Sequence, residues 1–198
     1  ITICSSSTAP LNVTTTPATG TWSGGSGSYS NGSSPTAVYT PGASDVGNTN
    51  LVLVWTTSDP DNSGPCPSIT VNQPLSVIGT ATANAGPDYN VCGSSPLSLS
   101  GSTNGGGQWS GGQGTFADAT SVNTTYTPAS SEVGQQVELT WTTNDPDQSG
   151  PCNSASDQAI VNVSTPASFT PLTPITICSS STAPLNVTTT PATGTWSG

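Results

Sequence analysis

Apolar and polar residues alternate along the chain in short runs. Val137, Leu139 and Trp141 alternate with Glu138 and Thr140. Leu51, Leu53 and Trp55 alternate with Val52 and Val54. Strict alternation over such runs is the signature of a half-buried strand, with one set facing the core and the other facing out. Gly, Pro, Ser and Asn clusters punctuate the runs, and no stretch has a helical period. Between residues 80 and 164 the pattern predicts strands near 82–91, 96–100, 106–110, 113–117, 122–127, 136–143 and 157–163. Seven short strands in about 87 residues fit an all-β, immunoglobulin-like sandwich.

The pattern also repeats. Residues 1–24, ITICSSSTAPLNVTTTPATGTWSG, recur unchanged at 175–198. A diverged copy lies near the half-period. WTTSDPDNSGPC at 55–66 returns as WTTNDPDQSGPC at 141–152, Tyr39-Thr40-Pro41 as Tyr126-Thr127-Pro128, and Trp22 as Trp109. The expected organisation is repeat 1 over 1–79, repeat 2 over 80–164, and a linker with the start of repeat 3 over 165–198. The lead strand of repeat 1 reads as truncated, and the whole as a piece of a longer array. Segments 77–88 and 164–174 read as short Pro-punctuated linkers, which favour a stiff string.

The two repeats predict different outer faces. Val52 and Val54 stand where repeat 2 has Glu138 and Thr140. This apolar pair is a candidate interdomain patch, set against the plainer reading of two solvent-facing valines.

Composition narrows the functions. The 198 residues hold 10 Asp and Glu but no Lys, Arg, His or Met, giving a net charge of −10. Such a chain has no cation to neutralise phosphates, which excludes ordinary nucleic-acid binding. No apolar run is long enough to span a bilayer, so no membrane insertion is expected. No triad base, Schiff-base amine or cationic clamp is available, and no enzymatic role is expected. Trypsin-type proteases find no cleavage site. With 32 Ser and 34 Thr, a third of the chain carries hydroxyl side chains. β-Branched Thr suits thin strands better than helices.

Five cysteines without metal-type spacing read as disulfides of an oxidising compartment. Two pairings satisfy the repeat. Within repeats they are Cys4–Cys66 and Cys92–Cys152, with Cys178 pairing beyond the sequence. Across linkers they are Cys66–Cys92 and Cys152–Cys178, with Cys4 left over. The first is favoured because each domain is then braced before its neighbour folds. It closes a loop of about 60 residues, worth about 3–4 kcal/mol in the chain-entropy model.

The segments DPDNSG and DPDQSG place Asp59, Asp61, Asp145 and Asp147 in two acidic loops. Paired carboxylates near a Gly are candidate calcium ligands. Asp-Pro and Ser-Gly-Pro are equally ordinary turn chemistry, and no Glu closes the loop as in an EF-hand. No other cofactor is indicated. Trp22, Trp55, Trp109 and Trp141 are expected in the cores. Trp22 and Trp109 have the alternative of stacking on a glycan ligand. Sequons occur at Asn12, Asn31, Asn123, Asn162 and Asn186.

ATANAGPDYNVCGSSPLSLSG (81–101), QWSGGQGTF (108–116), VNTTYTP (122–128), ELTWTTNDPDQSGPC (138–152) and SDQAIVNV (156–163) follow one order. That order resembles the PKD-like, immunoglobulin-like repeats of very large Bacteroidetes surface adhesins associated with type IX secretion. The resemblance covers nearly all of repeat 2, and repeat 1 from Cys4 onward. It implies a sandwich fold, a location at the cell surface or outside the cell, and no catalytic residues. The function expected is a structural module: a stiff, extended, protease-resistant stalk of an extracellular fibre or giant adhesin. Its partners would be neighbouring repeats or subunits of the fibre. The alternative is a carbohydrate- or calcium-dependent adhesive module.

Overall fold

The computed structural model describes residues 1–190 and 192–195, so the last residues of repeat 3, 196–198, lie outside the described residues. The chain is all-β. Seven strands make the first domain: β1 (Thr2–Cys4), β2 (Ala9–Pro10), β3 (Gly20–Ser23), β4 (Ser28–Tyr29), β5 (Val38–Thr40), β6 (Leu51–Thr57) and β7 (Thr70–Ile78). They form two sheets, ordered β1-β7-β6-β3 and β2-β5-β4.

The second domain repeats this plan with β8 (Ala83–Asn84), β9 (Tyr89–Cys92), β10 (Leu97–Leu99), β11 (Ser102–Thr103), β12 (Gly107–Gly111), β13 (Thr115–Phe116), β14 (Thr124–Thr127), β15 (Gln136–Thr143) and β16 (Ser156–Ser164). Its sheets are β9-β16-β15-β12 and β10-β14-β13, with β8 paired to β11. The alternation thus builds an immunoglobulin-like sandwich in each repeat.

The single strand expected over 82–91 is split into β8 and β9. Gly86 has φ +87°, and Pro87 follows it without a backbone donor. The ladder therefore breaks, and the chain crosses from β11 to the edge of β16.

Each core is centred on a tryptophan pair. Trp22 lies opposite Trp55 and Trp109 opposite Trp141, with ring centroids 5.4 and 5.6 Å apart. All four are buried. At 150–250 Å² each, burying one ring is worth about 4–6 kcal/mol as an upper estimate. The alternation that exposes Val52, at 41%, buries Leu51, Leu53 and Trp55, while Val54 is half-buried.

A buried polar knot closes each sandwich. Tyr39 donates its phenol to Asp45 at 2.5 Å and accepts from the Gly27 N–H at 2.8 Å. Tyr126 does the same with Glu132 and Gly114. A 3-10 turn, Ala43–Asp45 or Ser130–Glu132, brings each acid back under its tyrosine.

The topology gives each domain a polarity. The loop from β6 to β7 carries Cys66 at the end where β7 begins; this is the leading end. β1 runs parallel to β7 with Cys4 opposite Ile78, so Cys4 lies at the trailing end, where the chain leaves for the next domain. β9 and β16 place Cys92 opposite Ser164 in the same way. A nine-residue β7 separates the two ends by about 26 Å. Cysteines of one domain therefore cannot meet.

The disulfide observed joins Cys4 to Cys152, 148 residues away, with Cα atoms 5.1 Å apart. This corrects both expectations. Cys4–Cys66 and Cys92–Cys152 would bridge opposite ends of one sandwich, and Cys66–Cys92 would bridge the outer ends of the pair. Cys152–Cys178 is not formed either, since Cys152 is taken by Cys4. Cys66, Cys92 and Cys178 are free and exposed.

Candidate functional site

The strongest assembly of predicted site residues lies at the joint between the domains. The trailing end of the first supplies Cys4 and Ile78, and the leading end of the second supplies Cys152. Cys152 Sγ lies 3.7 Å from the Ile78 carbonyl oxygen. Cys4 and Cys152 are 4% and 1% exposed. In the chain-entropy model a loop of this length is worth about 5 kcal/mol.

The linker, 79–82, is held from both sides. The Thr80 N–H donates to Ser5 Oγ of the first domain at 3.1 Å. Asn104 of the second domain donates Nδ2–H to the Thr80 carbonyl at 2.8 Å and accepts from the Thr82 N–H at 2.9 Å. The side-chain amide thus replaces a neighbouring strand. Sequence reasoning missed Asn104 and Ser5. Asn104 sits in a Gly-rich turn that reads as a plain loop, and its partners become visible only in three dimensions.

The acidic loop aims Cys152 at the joint. Asp145 Oδ1 accepts from the Asp147 N–H at 3.1 Å. Asp147 accepts from Gly150 N–H at 3.1 Å through Oδ1 and from Cys152 N–H at 3.0 Å through Oδ2. Asp59 and Asp61 repeat this, with Asp61 accepting from Gly64 and Cys66. The carboxylates serve as internal caps of a turn.

Their titration follows. The Cys152 N–H, followed by further donors, holds the Asp147 carboxyl below the usual carboxylate range against the opposing effect of burial. At Asp61 burial pushes the carboxyl up, but the N–H groups of Cys66 and Gly64 outweigh it and the net direction is down. Among the described residues no group of three His, Cys, Asp or Glu side chains could hold a metal ion.

The remaining predicted residues lie elsewhere. The four tryptophans are inside the two cores, with Trp22 Nε1 donating to the Ser34 carbonyl and Trp109 Nε1 to the Val122 carbonyl. Val52 and Val54 lie opposite Pro74 and Asn72 on the outer face of the β6–β7 pair. The knot acids Asp45 and Glu132 were also missed. Their signal was available: an acid six residues after the Tyr of each Tyr-Thr-Pro.

No family model and no curated protein matches the chain. Some solved structures are similar to it. Domains 3–5 of the extracellular part of Drosophila OTK are 10% identical, cover 82% of this chain and 58% of theirs, and have a TM-score of 0.46. The protocadherin gammaB7 EC3–6 cis-dimer structure is 12% identical over 85% of this chain and 47% of its own, with a TM-score of 0.42. Sidekick-1 immunoglobulin domains 1–4 are 18% identical over 86% and 50%, with a TM-score of 0.28. The chain spans roughly half the length of these structures. No helix among the described residues is long and apolar enough to cross a membrane.

Proposed function

We propose that the chain is a structural module of an extracellular fibre or large surface adhesin, and that its task is to carry load along a stiff stalk. The supporting observation is the Cys4–Cys152 disulfide across the joint. Tension entering at residue 1 reaches Cys4 within three residues, crosses the sulfurs to Cys152, and leaves along β16. Residues 5–151, which contain nearly all of both sandwiches, lie off the covalent load path. A disulfide also fits an oxidising compartment, as this reading requires. The lack of Lys and Arg removes trypsin-type cleavage sites from an exposed thread.

Force spectroscopy on the chain held by its two ends tests this. When oxidised, it is expected to resist extension through residues 5–151. After reduction the same pull releases about 500 Å more contour, at about 3.5 Å per residue. An oxidised chain that lengthens as far as the reduced one overturns the reading.

A further inference from the structure

The Cys4–Cys152 bond obeys a rule that the chain's other cysteines are built to follow. A trailing-end cysteine of one domain takes a leading-end cysteine of the next. Cys92 reproduces the backbone bonds of the Cys4 site. Cys4 ends β1 opposite Ile78, the Ser5 N–H donates to the Ile78 carbonyl at 2.7 Å, and the Ser7 N–H donates to the Cys4 carbonyl at 2.8 Å. Cys92 ends β9 opposite Ser164, the Gly93 N–H donates to the Ser164 carbonyl at 2.9 Å, and the Ser95 N–H donates to the Cys92 carbonyl at 3.3 Å.

Cys66 likewise reproduces the site of Cys152. Both backbone N–H groups are capped by the second Asp of the acidic loop, at 3.1 and 3.0 Å. The loop residues Asn62 and Gln148 share a left-handed backbone, φ 60° and 64°. The bonded pair is buried in the joint, whereas Cys92 and Cys66 are exposed.

A following domain begins at the correct place. After Ser164, strand β17 (Ser168–Phe169) pairs with β18 (Thr189–Thr190), Phe169 lying opposite Thr189. This is the register of Ala83 opposite Thr103 in the β8–β11 pair, displaced by 86 residues. Residues 175–198 also repeat 1–24 without change, so the unit begun here is of the first-domain type, whose acidic loop carries the cysteine equivalent to Cys66.

We infer that Cys92 is the trailing half of a second interdomain staple, and that its partner is the acidic-loop cysteine of the domain that follows Ser164. Cys66 is the leading half of the same staple toward a preceding domain of the second type. The inference rests on the stalk reading of the repeats. Both thiols give up a proton and one sulfur–sulfur bond forms. The two electrons pass to an external disulfide oxidant, such as a thiol–disulfide oxidoreductase, which is reduced to its dithiol. Because each staple overlaps the next, every joint of the array is crossed by a disulfide as well as by the main chain.

The test is a chain in which residues 1–174 are followed by a second complete copy, with Cys66→Ser in the first copy only and Cys92→Ser in the second copy only. It is folded oxidatively, alkylated, and cut with chymotrypsin, since trypsin has no site. The expected map contains Cys92 joined to the acidic-loop cysteine of the second copy within one molecule. With Cys92→Ser added to the first copy as well, the acidic-loop cysteine of the second copy becomes alkylated. Alkylated Cys92, or Cys92 joined to Cys178 or to another molecule, overturns the inference. Small-angle scattering of the same protein judges the stalk reading separately. A compact particle with Cys92 correctly joined overturns the stalk and leaves the staple standing.

Discussion

Tyr126 donates its phenol to the Glu132 carboxylate, 2.8 Å away, in a site where the tyrosine is fully buried. Tyr39 and Asp45 repeat the pair at the same six-residue spacing. Burial first, and then the bond to the acid, push each phenol up to about 12. A phenol whose folded pKa is raised contributes stability that is whole below its ordinary value of 10.0 and is lost as pH rises toward 12. Tyr126→Phe removes a charge-assisted bond and leaves Glu132 short of a donor, at a cost of about 1.5–3 kcal/mol. Urea unfolding followed by Trp fluorescence should show that loss near neutral pH. The Tyr39→Phe, Tyr126→Phe double variant should in turn lose the steep alkaline fall of the parent.

The tryptophan pairs depend on a missing side chain. A Cβ on Gly107 would press on the Thr142 carbonyl and stand 2.7 Å from Trp141 Cζ2; Gly20 has the same relation to Thr56 and Trp55. Both glycines stand two residues before a core Trp, where only hydrogen leaves room for the ring on the adjoining strand. Gly107→Ala is expected to destabilise the second domain by about 1–3 kcal/mol through overpacking. Gly105→Ala, with nothing within 4 Å of its Cβ, should stay within about 0.5 kcal/mol. Equal losses for the two variants in thermal unfolding would refute the packing argument.

What the sequence could convey depended on the range of the interaction. Leu139 and Trp141 announce a strand because burial has a period of two, and the matched Trp-Thr-Thr-x-Asp-Pro-Asp segments announce the repeat. The break at Gly86-Pro87 is legible as punctuation, yet the apolar residues on either side of it have the look of one strand. The disulfide was out of reach for a different reason. Spacing places Cys4 and Cys66 in one repeat, but only the parallel pairing of β1 with β7 puts them at opposite ends of it. Pairing by repeat therefore chose partners about 26 Å apart. Asn104 was illegible for the same reason, since its partners belong to the linker, more than twenty residues back.

The acidic loops should respond to protons and not to calcium. Both Asp147 oxygens already accept backbone N–H groups, so melting curves with calcium and with a chelator are expected to overlay. A carboxyl held below its ordinary value contributes stability that is present above about pH 3.8 and lost as pH falls through the folded value. The loop that carries Cys152 should therefore loosen in acid. Reduction of Cys4–Cys152 by a phosphine, measured against that of a small-molecule disulfide at the same pH, is expected to gain in relative rate only as pH falls below the ordinary value of 3.8. Asp147→Ala should show the faster rate already at pH 7.

The joint is tied by one amide as well as by the sulfurs. Asn104 ties Thr80 and Thr82 through a donor and an acceptor on a single side chain. Asn104→Asp keeps the acceptor and removes the donor, leaving the Thr80 carbonyl without that bond. Neither sandwich core includes Asn104, so the unfolding transitions of the two domains should move little. The linker alone should respond, with hydrogen exchange at the Thr82 amide quickening in Asn104→Ala. With the disulfide intact, scattering curves of parent and variant should nearly coincide, because the sulfurs still fix the two ends. Adding Cys4→Ser and Cys152→Ser should then broaden the distribution of interdomain distances more in the Asn104 variant than in the parent. If the triple variant is no broader than Cys4→Ser, Cys152→Ser alone, the amide plays no part in the stiffness, and the short linker with Ser5 must supply it.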